Sequence, residues 1–142
     1  FRRVLFRSAV RNSGAQVVIE GCGANGCEYM TGGTAVILGD VGRNFGAGMT
    51  GGMAFVLDRH DLFPRRANPE SIIWQRIDSA HWERVLLDLI GEHAAATDSA
   101  WGKEVLADWD RLRGLFWQVC PKEMIDRLAN PLSDRETMQA AE

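Results

Sequence analysis

The sequence predicts a mainly β fold: a parallel β-helix solenoid with coils of 19 residues, followed by a C-terminal α-helical segment. Three observations carry that prediction. Twelve of the 15 glycines fall between Gly14 and Gly52. Within that stretch Thr31-Gly32-Gly33 recurs 19 residues later as Thr50-Gly51-Gly52, and Ser13-Gly14 stands one period earlier. All five tryptophans, from Trp74 to Trp117, lie beyond the repeat, as do all but four of the acids (Glu20, Glu28, Asp40, Asp58). Two architectures therefore share the chain.

Residues 1–8 do not continue the repeat and read as a non-native leader, with native sequence beginning near Ala9. Residues 9–58 are the glycine-repeat coils. In the 19-residue register Val17 meets Val36, Gly23 meets Gly42, Asn25 meets Asn44 and Met30 meets Met49. Each repeat carries one β-prone run: Val17-Val18-Ile19, Val36-Ile37-Leu38 and Phe55-Val56-Leu57. A unit this short is too small for a helix pair and suits one coil of a solenoid, whose strands stack through parallel ladder hydrogen bonds. Glycine then marks corners where φ is positive or two backbones approach closely. Asn25 and Asn44 are expected to form a side-chain ladder at one corner. The first strand, near Val17, exposes an uncapped edge if earlier coils are missing.

Residues 59–78 read as a linker, because Phe63-Pro64 and Asn68-Pro69 break regular structure. Residues 79–130 read as helical. Ser79 is a good N-cap, and Trp82, Val85, Leu86, Leu89 and Ile90 form one helical face running to about Ala95. Ser99 is expected to cap a second helix with Trp101, Val105, Trp109, Leu112 and Phe116 on its stripe. Pro121 suits the first turn of a third helix, with Met124, Ile125 and Leu128 inward and Asn130-Pro131 ending it. Residues 131–142 read as a frayed terminus.

Composition excludes several classes of function. The net charge of −3 gives no electrostatic case for binding nucleic acid or an anionic membrane. No apolar run approaches the roughly 18 residues of a membrane span. Three cysteines cannot all pair within one chain, which points to a reducing, cytoplasmic setting.

Three motifs invite a chemical reading. Gly21-Cys22-Gly23-Ala24-Asn25-Gly26 matches a dinucleotide fingerprint, with Asp40 further on. That fingerprint needs a helix opening at its third glycine to hold the pyrophosphate, and the next repeat leaves no room for one. Nucleotide binding is the reading to exclude by titration with NADPH or FMN. Cys22 and Cys27, with His60, His81 or His93, lack the second ligand pair of a structural zinc site. No oxyanion loop or orienting carboxylate marks a cysteine–histidine nucleophile. His93 suits a helix C-terminus. Arg43, Arg65 and Arg66 suit surface or interdomain ion pairs. The residues give no catalytic, cofactor-binding or metal set, only a structural glycine motif: Gly14, Gly23, Gly32, Gly33, Gly39, Gly42, Gly46, Gly51 and Gly52.

The runs Ala9-Val10-Arg11-Asn12-Ser13-Gly14-Ala15, Glu20-Gly21, Gly26-Cys27-Glu28-Tyr29-Met30-Thr31-Gly32-Gly33, Gly42-Arg43-Asn44-Phe45 and Gly48-Met49-Thr50-Gly51-Gly52 resemble the C-terminal domain of the glutamate synthase large subunit. That domain is named for a Gly-x-x-Gly-x-x-x-Gly repeat. Gly39, Gly42 and Gly46 give it in full; one period earlier only Gly23 keeps it, between Glu20 and Cys27. The resemblance continues through Asn68-Pro69-Glu70, Leu89-Ile90, Glu92-His93, Thr97, Ser99, Trp109 and Phe116-x-x-Val119-x-Pro121, covering about residues 9–125. Met124 departs from it, standing where the family often has an aromatic.

The resemblance implies a right-handed β-helix ending a large iron–sulfur flavoenzyme of nitrogen assimilation. That enzyme makes glutamate from glutamine and 2-oxoglutarate. FMN, a 3Fe-4S cluster and electrons from NADPH or ferredoxin belong to the whole subunit, and no cofactor is expected in this chain. The implied partners are the FMN-barrel and amidotransferase domains of the same polypeptide, and a small flavoprotein subunit. The alternative is a free-standing glycine-repeat subunit of another redox complex, such as formylmethanofuran dehydrogenase.

Overall fold

A computed structural model of the chain describes residues 11–21, 23 and 26–134. The leader assigned to residues 1–8, Cys22, Asn25 and residues 135–142 lie outside the described residues. Each repeat contributes one strand: β1 (Ser13–Ile19), β2 (Thr31–Ile37) and β3 (Gly51–Leu57). They are parallel neighbours. Two further strands, β4 (Ile72–Arg76) and β5 (Phe116–Pro121), complete a five-stranded sheet of order β1-β2-β3-β5-β4, in which β5 runs antiparallel to both its neighbours.

This overturns the expected solenoid. The domain is a small mixed α/β fold with a five-stranded mixed sheet. Two physical causes are visible. The returns between strands are tight turns rather than further strands, because left-handed residues interrupt them: Cys27, Tyr29 and Asn44 have φ of 54°, 54° and 62°, and Gly46 and Gly48 have 76° and 65°. Beyond Leu57 no fourth repeat follows. The Asp58 carboxylate instead accepts the backbone N–H groups of Leu62 (2.9 Å) and Phe63 (3.1 Å), turning the chain out of the sheet into α1 (Phe63–Arg66). The place beside β3 is taken by β5.

The register also departs from a uniform 19-residue step. Val36 pairs with Phe55 across β2–β3, but on the other side it pairs with Val18, and Val17 pairs with Ala35. A shift between Ser13 and Gln16 moves β1 by one residue, and in a strand one residue exchanges the faces. Val18, Val36 and Phe55 consequently share one face, while Ile19, Ile37 and Val56 share the other.

Each face has its own core. The inter-repeat turns and α1 cover one, with Cys27, Met30, Phe45, Met49 and Phe63 packed on Ala35, Ile37, Ala54 and Val56. Helices cover the other: Leu86, Leu89 and Ile90 of α2 (Ala80–Thr97), Val105 of α3 (Ala100–Ala107) and Leu112 of α4 (Trp109–Leu112) meet Val36, Leu38, Phe55 and Leu57. Burying each such apolar side chain contributes about 1.5–3 kcal/mol.

Ser79 caps α2 by accepting the Trp82 N–H, and Ser99 caps α3 by accepting the Gly102 N–H. The 59–78 segment is structured rather than a bare linker, since it forms α1 and β4. Phe116 lies on β5 and not on a helical stripe. The α3 run ends at Asp108, and a 3₁₀ turn (Arg113–Leu115) delivers Phe116-Trp117-Gln118-Val119-Cys120 to the sheet. The stretch after Pro121 is a 3₁₀ turn (Lys122–Arg127) that buries no residue fully. Within the terminus expected to fray, Leu132 and Ser133 are buried.

Candidate functional site

The turns that pass the chain from one repeat to the next form the candidate site. Both Thr-Gly-Gly signatures sit at a shift in register, between Ser13 and Gln16 against β2 and between Thr31 and Thr34 against β3. At the first, the Asn12 carbonyl accepts two successive N–H groups, from Thr31 (2.7 Å) and Gly32 (3.1 Å). At the second, the Met30 carbonyl accepts from Thr50 (2.9 Å) and Gly51 (3.3 Å). One carbonyl serving two consecutive donors is the signature of a bulge.

The two glycines of each signature do different work. The first of each pair has no room for a side chain: a Cβ on Gly51 would stand 1.9 Å from the Thr31 carbonyl oxygen, and one on Gly32 2.7 Å from that of Ser13. The second of each pair takes a left-handed backbone, φ 83° at Gly33 and 86° at Gly52. A Cβ on Gly39 would stand 2.3 Å from the Glu20 carbonyl oxygen. Gly42 donates its N–H to the Gly23 carbonyl (3.1 Å), and Gly46 does so to Gly26 (2.9 Å). Gly46 also leaves space for Ile72 of β4. Gly14 stands apart: it lies on the exposed edge strand and nothing would touch a Cβ there.

The chemically tempting residues are scattered. Gly26 to Tyr29 form a turn leading into β2 at Thr31, so no helix opens at the third glycine of Gly21–Gly26. Cys27 is in the turn-side core and Cys120 in the helix-side core, on opposite faces of the sheet. Burial pushes the Cys120 thiol up to about 11. His60 meets Asp40 at 3.1 Å on the surface, and His81 packs edge-on against Trp82. His93 turns its ring toward Gly102, with Nε2 buried and unpartnered. Among the described residues no three His, Cys, Asp or Glu side chains come together as a metal site. Arg66 donates to the Val41 carbonyl at 2.5 Å, while Arg43 and Arg65 are exposed.

Reading the sequence missed Asp58. This buried carboxylate accepts from Leu62, from Phe63 and from Trp117 Nε1 (3.0 Å), joining β3, α1 and β5. Its aspartate-after-strand position was the available signal. Arg76 lies over the Trp117 ring at 3.5 Å. Desolvation lowers the Arg76 pKa, and the charges of Asp58 and Asp61 oppose that shift.

A geometry made of glycine turns, with no assembled reactive set, sends the question to related proteins. The family described as GXGXG motif matches residues 2–122, a span that begins inside the 1–8 segment. The chain belongs to the GXGXG motif family. Within the glutamate synthases it is 62% identical over 89% of its length to the glutamate synthase (NADPH) large chain of Azospirillum brasilense, covering 8% of that protein. It is 52% identical over 81% of its length to ferredoxin-dependent glutamate synthase 2 of Synechocystis, covering 7%. To the glutamate synthase (NADPH) large chain of Bacillus subtilis it is 41% identical over 95% of its length, covering 9%. This GXGXG chain thus spans less than a tenth of the length of these relatives.

Proposed function

We propose that this chain is the GXGXG domain of a glutamate synthase large chain, and that it supports reductive synthesis of glutamate from glutamine and 2-oxoglutarate without carrying catalytic groups. The 62% identity to a glutamate synthase large chain over nearly the whole sequence carries the reading. These relatives favour it over a subunit of formylmethanofuran dehydrogenase. Activity belongs to the whole oxidoreductase, with FMN, a 3Fe-4S cluster and NADPH or ferredoxin as donor.

The described residues do not fit those groups. An iron–sulfur cluster takes several thiolates at one place, and Cys27 and Cys120 lie on opposite sheet faces. A flavin or nucleotide phosphate favours a helix N-terminus, which the Gly26 turn does not supply. No chemical step is therefore assigned to this chain. Its role is to hold the FMN-barrel and amidotransferase domains of the same polypeptide in place, with a small flavoprotein subunit as a further partner in the NADPH form. The proposed compartment is the cytoplasm. No helix among the described residues is long and apolar enough to cross a membrane.

The test is to purify, through a tag placed at the chromosomal locus, the polypeptide that carries this sequence. It is then assayed for oxidation of NADPH or reduced ferredoxin that depends on both glutamine and 2-oxoglutarate. Turnover with release of glutamate supports the proposal. A flavin-free polypeptide that turns over neither substrate rejects it.

A further inference from the structure

The turns between the strands stack as a second layer over one face of the sheet. Arg11 donates its N–H to the Glu28 carbonyl (2.8 Å), and Tyr29 donates to that of Ala47 (2.8 Å). Phe45 donates to the Arg66 carbonyl (3.0 Å), and Asn68 donates to that of Phe45 (2.9 Å). Segments 26–29, 44–47 and 66–68 therefore lie side by side, and Cys27, Phe45 and Ala67 point inward from them to the turn-side core. The outer surface of this layer lies across the stack and not at the β1 edge.

Two features face outward there. Tyr29 is 54% exposed, the higher value of the two exposed large hydrophobic side chains among the described residues. It holds a left-handed φ of 54°, which a bulky residue rarely adopts. Its ring lies across Gly48, where a Cβ would stand 2.5 Å from both Cδ1 and Cε1. A glycine platform thus carries an aromatic ring in the open. The second feature is a group of arginines. The Phe45–Ala67 bridge sets the segments of Arg43 and Arg65 beside each other, and both side chains are exposed. Arg66 reaches the Val41 carbonyl at 2.5 Å, two residues before Arg43. Among the described residues none of the three forms an ion pair, whereas Lys103, Arg111 and Arg113 each meet an acid.

We propose that this face, with Tyr29, Arg43, Arg65 and Arg66, docks on an acidic surface of another domain of the same polypeptide. The inference deepens the reading of the chain as one domain of a glutamate synthase large chain, and it rests on that reading for the partner. Tyrosine and arginine are enriched among the residues that carry most of the energy of protein interfaces. The guanidinium fork matches a carboxylate two-pronged. The chain spans 8% of the length of its Azospirillum relative, so most of such a polypeptide lies elsewhere and supplies the opposing surface. With a net charge of −3, the chain attracts an acidic surface at this patch rather than as a whole, which fixes the orientation of docking.

The test uses the whole polypeptide with the photo-cross-linker p-benzoylphenylalanine in place of Tyr29 and, in a second preparation, in place of Arg43. Irradiation and mass spectrometry are expected to show a cross-link to an Asp- and Glu-rich peptide of the same polypeptide, outside these 142 residues. Arg43→Glu together with Arg65→Glu should lower the yield from position 29 about tenfold, since like charges set face to face are strongly disfavoured. Arg84→Glu, the same change of charge at an exposed position of α2 in the helical layer, should leave it unchanged. The proposal is overturned by the absence of a cross-link beyond this domain from both positions. A partner that is a separate protein or a second copy overturns it too, as does a yield that the paired arginine reversals leave unchanged. Glutamate formation by the same preparation reports on the enzyme reading separately. An active polypeptide without the cross-link rejects this surface alone, and the cross-link in a polypeptide without turnover rejects that reading alone.

Discussion

Gly51 is the tightest point of the repeat. A methyl group there would press on the Thr31 carbonyl at 1.9 Å, and that carbonyl belongs to the backbone of the neighbouring strand, so only movement of the strand relieves it. Gly51→Ala is expected to lower stability by more than about 1 kcal/mol, the outcome when alanine replaces glycine at an incompatible site. Gly14→Ala should be neutral or raise stability by about 0.4–1 kcal/mol, because the side chain meets nothing and the unfolded chain loses freedom. Denaturant midpoints of the two variants check the contrast. Cys120 gives a prediction in pH. Its thiol is raised from 9.0 to about 11 by burial, so the folded state holds a proton that the unfolded state releases first. That contribution to stability is complete below about pH 9 and is lost as pH rises toward 11. A thiol reagent at neutral pH should label Cys120 only as fast as the chain opens. The glycine motif was legible residue by residue, because crowding at Gly32 and Gly51 and left-handed φ at Gly33 and Gly52 leave a period in the sequence. Gly14 carries the same letter without the constraint. Asp58 leaves no period: two of its donors follow four and five residues on, and the third, Trp117, stands 59 residues away.

At the scale of elements, α2 is held at its start by a segment from the far end of the described chain. Asp134 Oδ2 accepts the Ala80 N–H at 3.1 Å, Trp82 Nε1 donates to the Pro131 carbonyl at 3.0 Å, and Ser133 Oγ donates to Asp78 at 2.7 Å. Carboxylate oxygens at a helix N-terminus are favoured both by free N–H groups and by the dipole. Asp134→Ala should therefore cost about 0.5–2 kcal/mol. Its exchange protection should fall at residues 80–83 and stay constant at 100–107, which peptide-level hydrogen exchange would show. The α2 and α3 caps could be read from the sequence because Ser79 and Ser99 act within three residues. This strap could not: its bonds span 49 to 55 residues, and polar composition alone suggested fraying. Phe116 failed for a related reason. Trp109, Leu112 and Phe116 keep helical spacing across the point where α4 gives way to a 3₁₀ turn, so periodicity continued past the end of the helix.

The whole molecule is two cores divided by one sheet, and Asp58 stands where the repeat passes into the helical half. Asp58→Ala leaves the N–H groups of Leu62, Phe63 and Trp117 without their acceptor. At about 1–3 kcal/mol for a buried group left unsatisfied, this should be among the most damaging single changes in the chain. The loss should appear as a fall in the thermal transition with no change in the pattern of secondary structure below it. The parallel pairing of three repeats followed from their 19-residue identity. The full architecture did not, because a repeat says which strands resemble one another and is silent on what stands beside the last of them. There β5 arrives from some sixty residues away and turns a stack of repeats into a mixed sheet.

The central claim is that this domain supports glutamate synthesis without supplying a reacting group. The direct measurement is kcat of the whole polypeptide carrying His60→Gln, His93→Gln and Cys120→Ala together, at a temperature where the thermal transition shows it folded. The account predicts glutamate formation within about twofold of the parent, whereas loss of a general acid or base costs about 10²–10⁴-fold. A fall of that size with the thermal transition unchanged would contradict the claim and place chemistry in this chain.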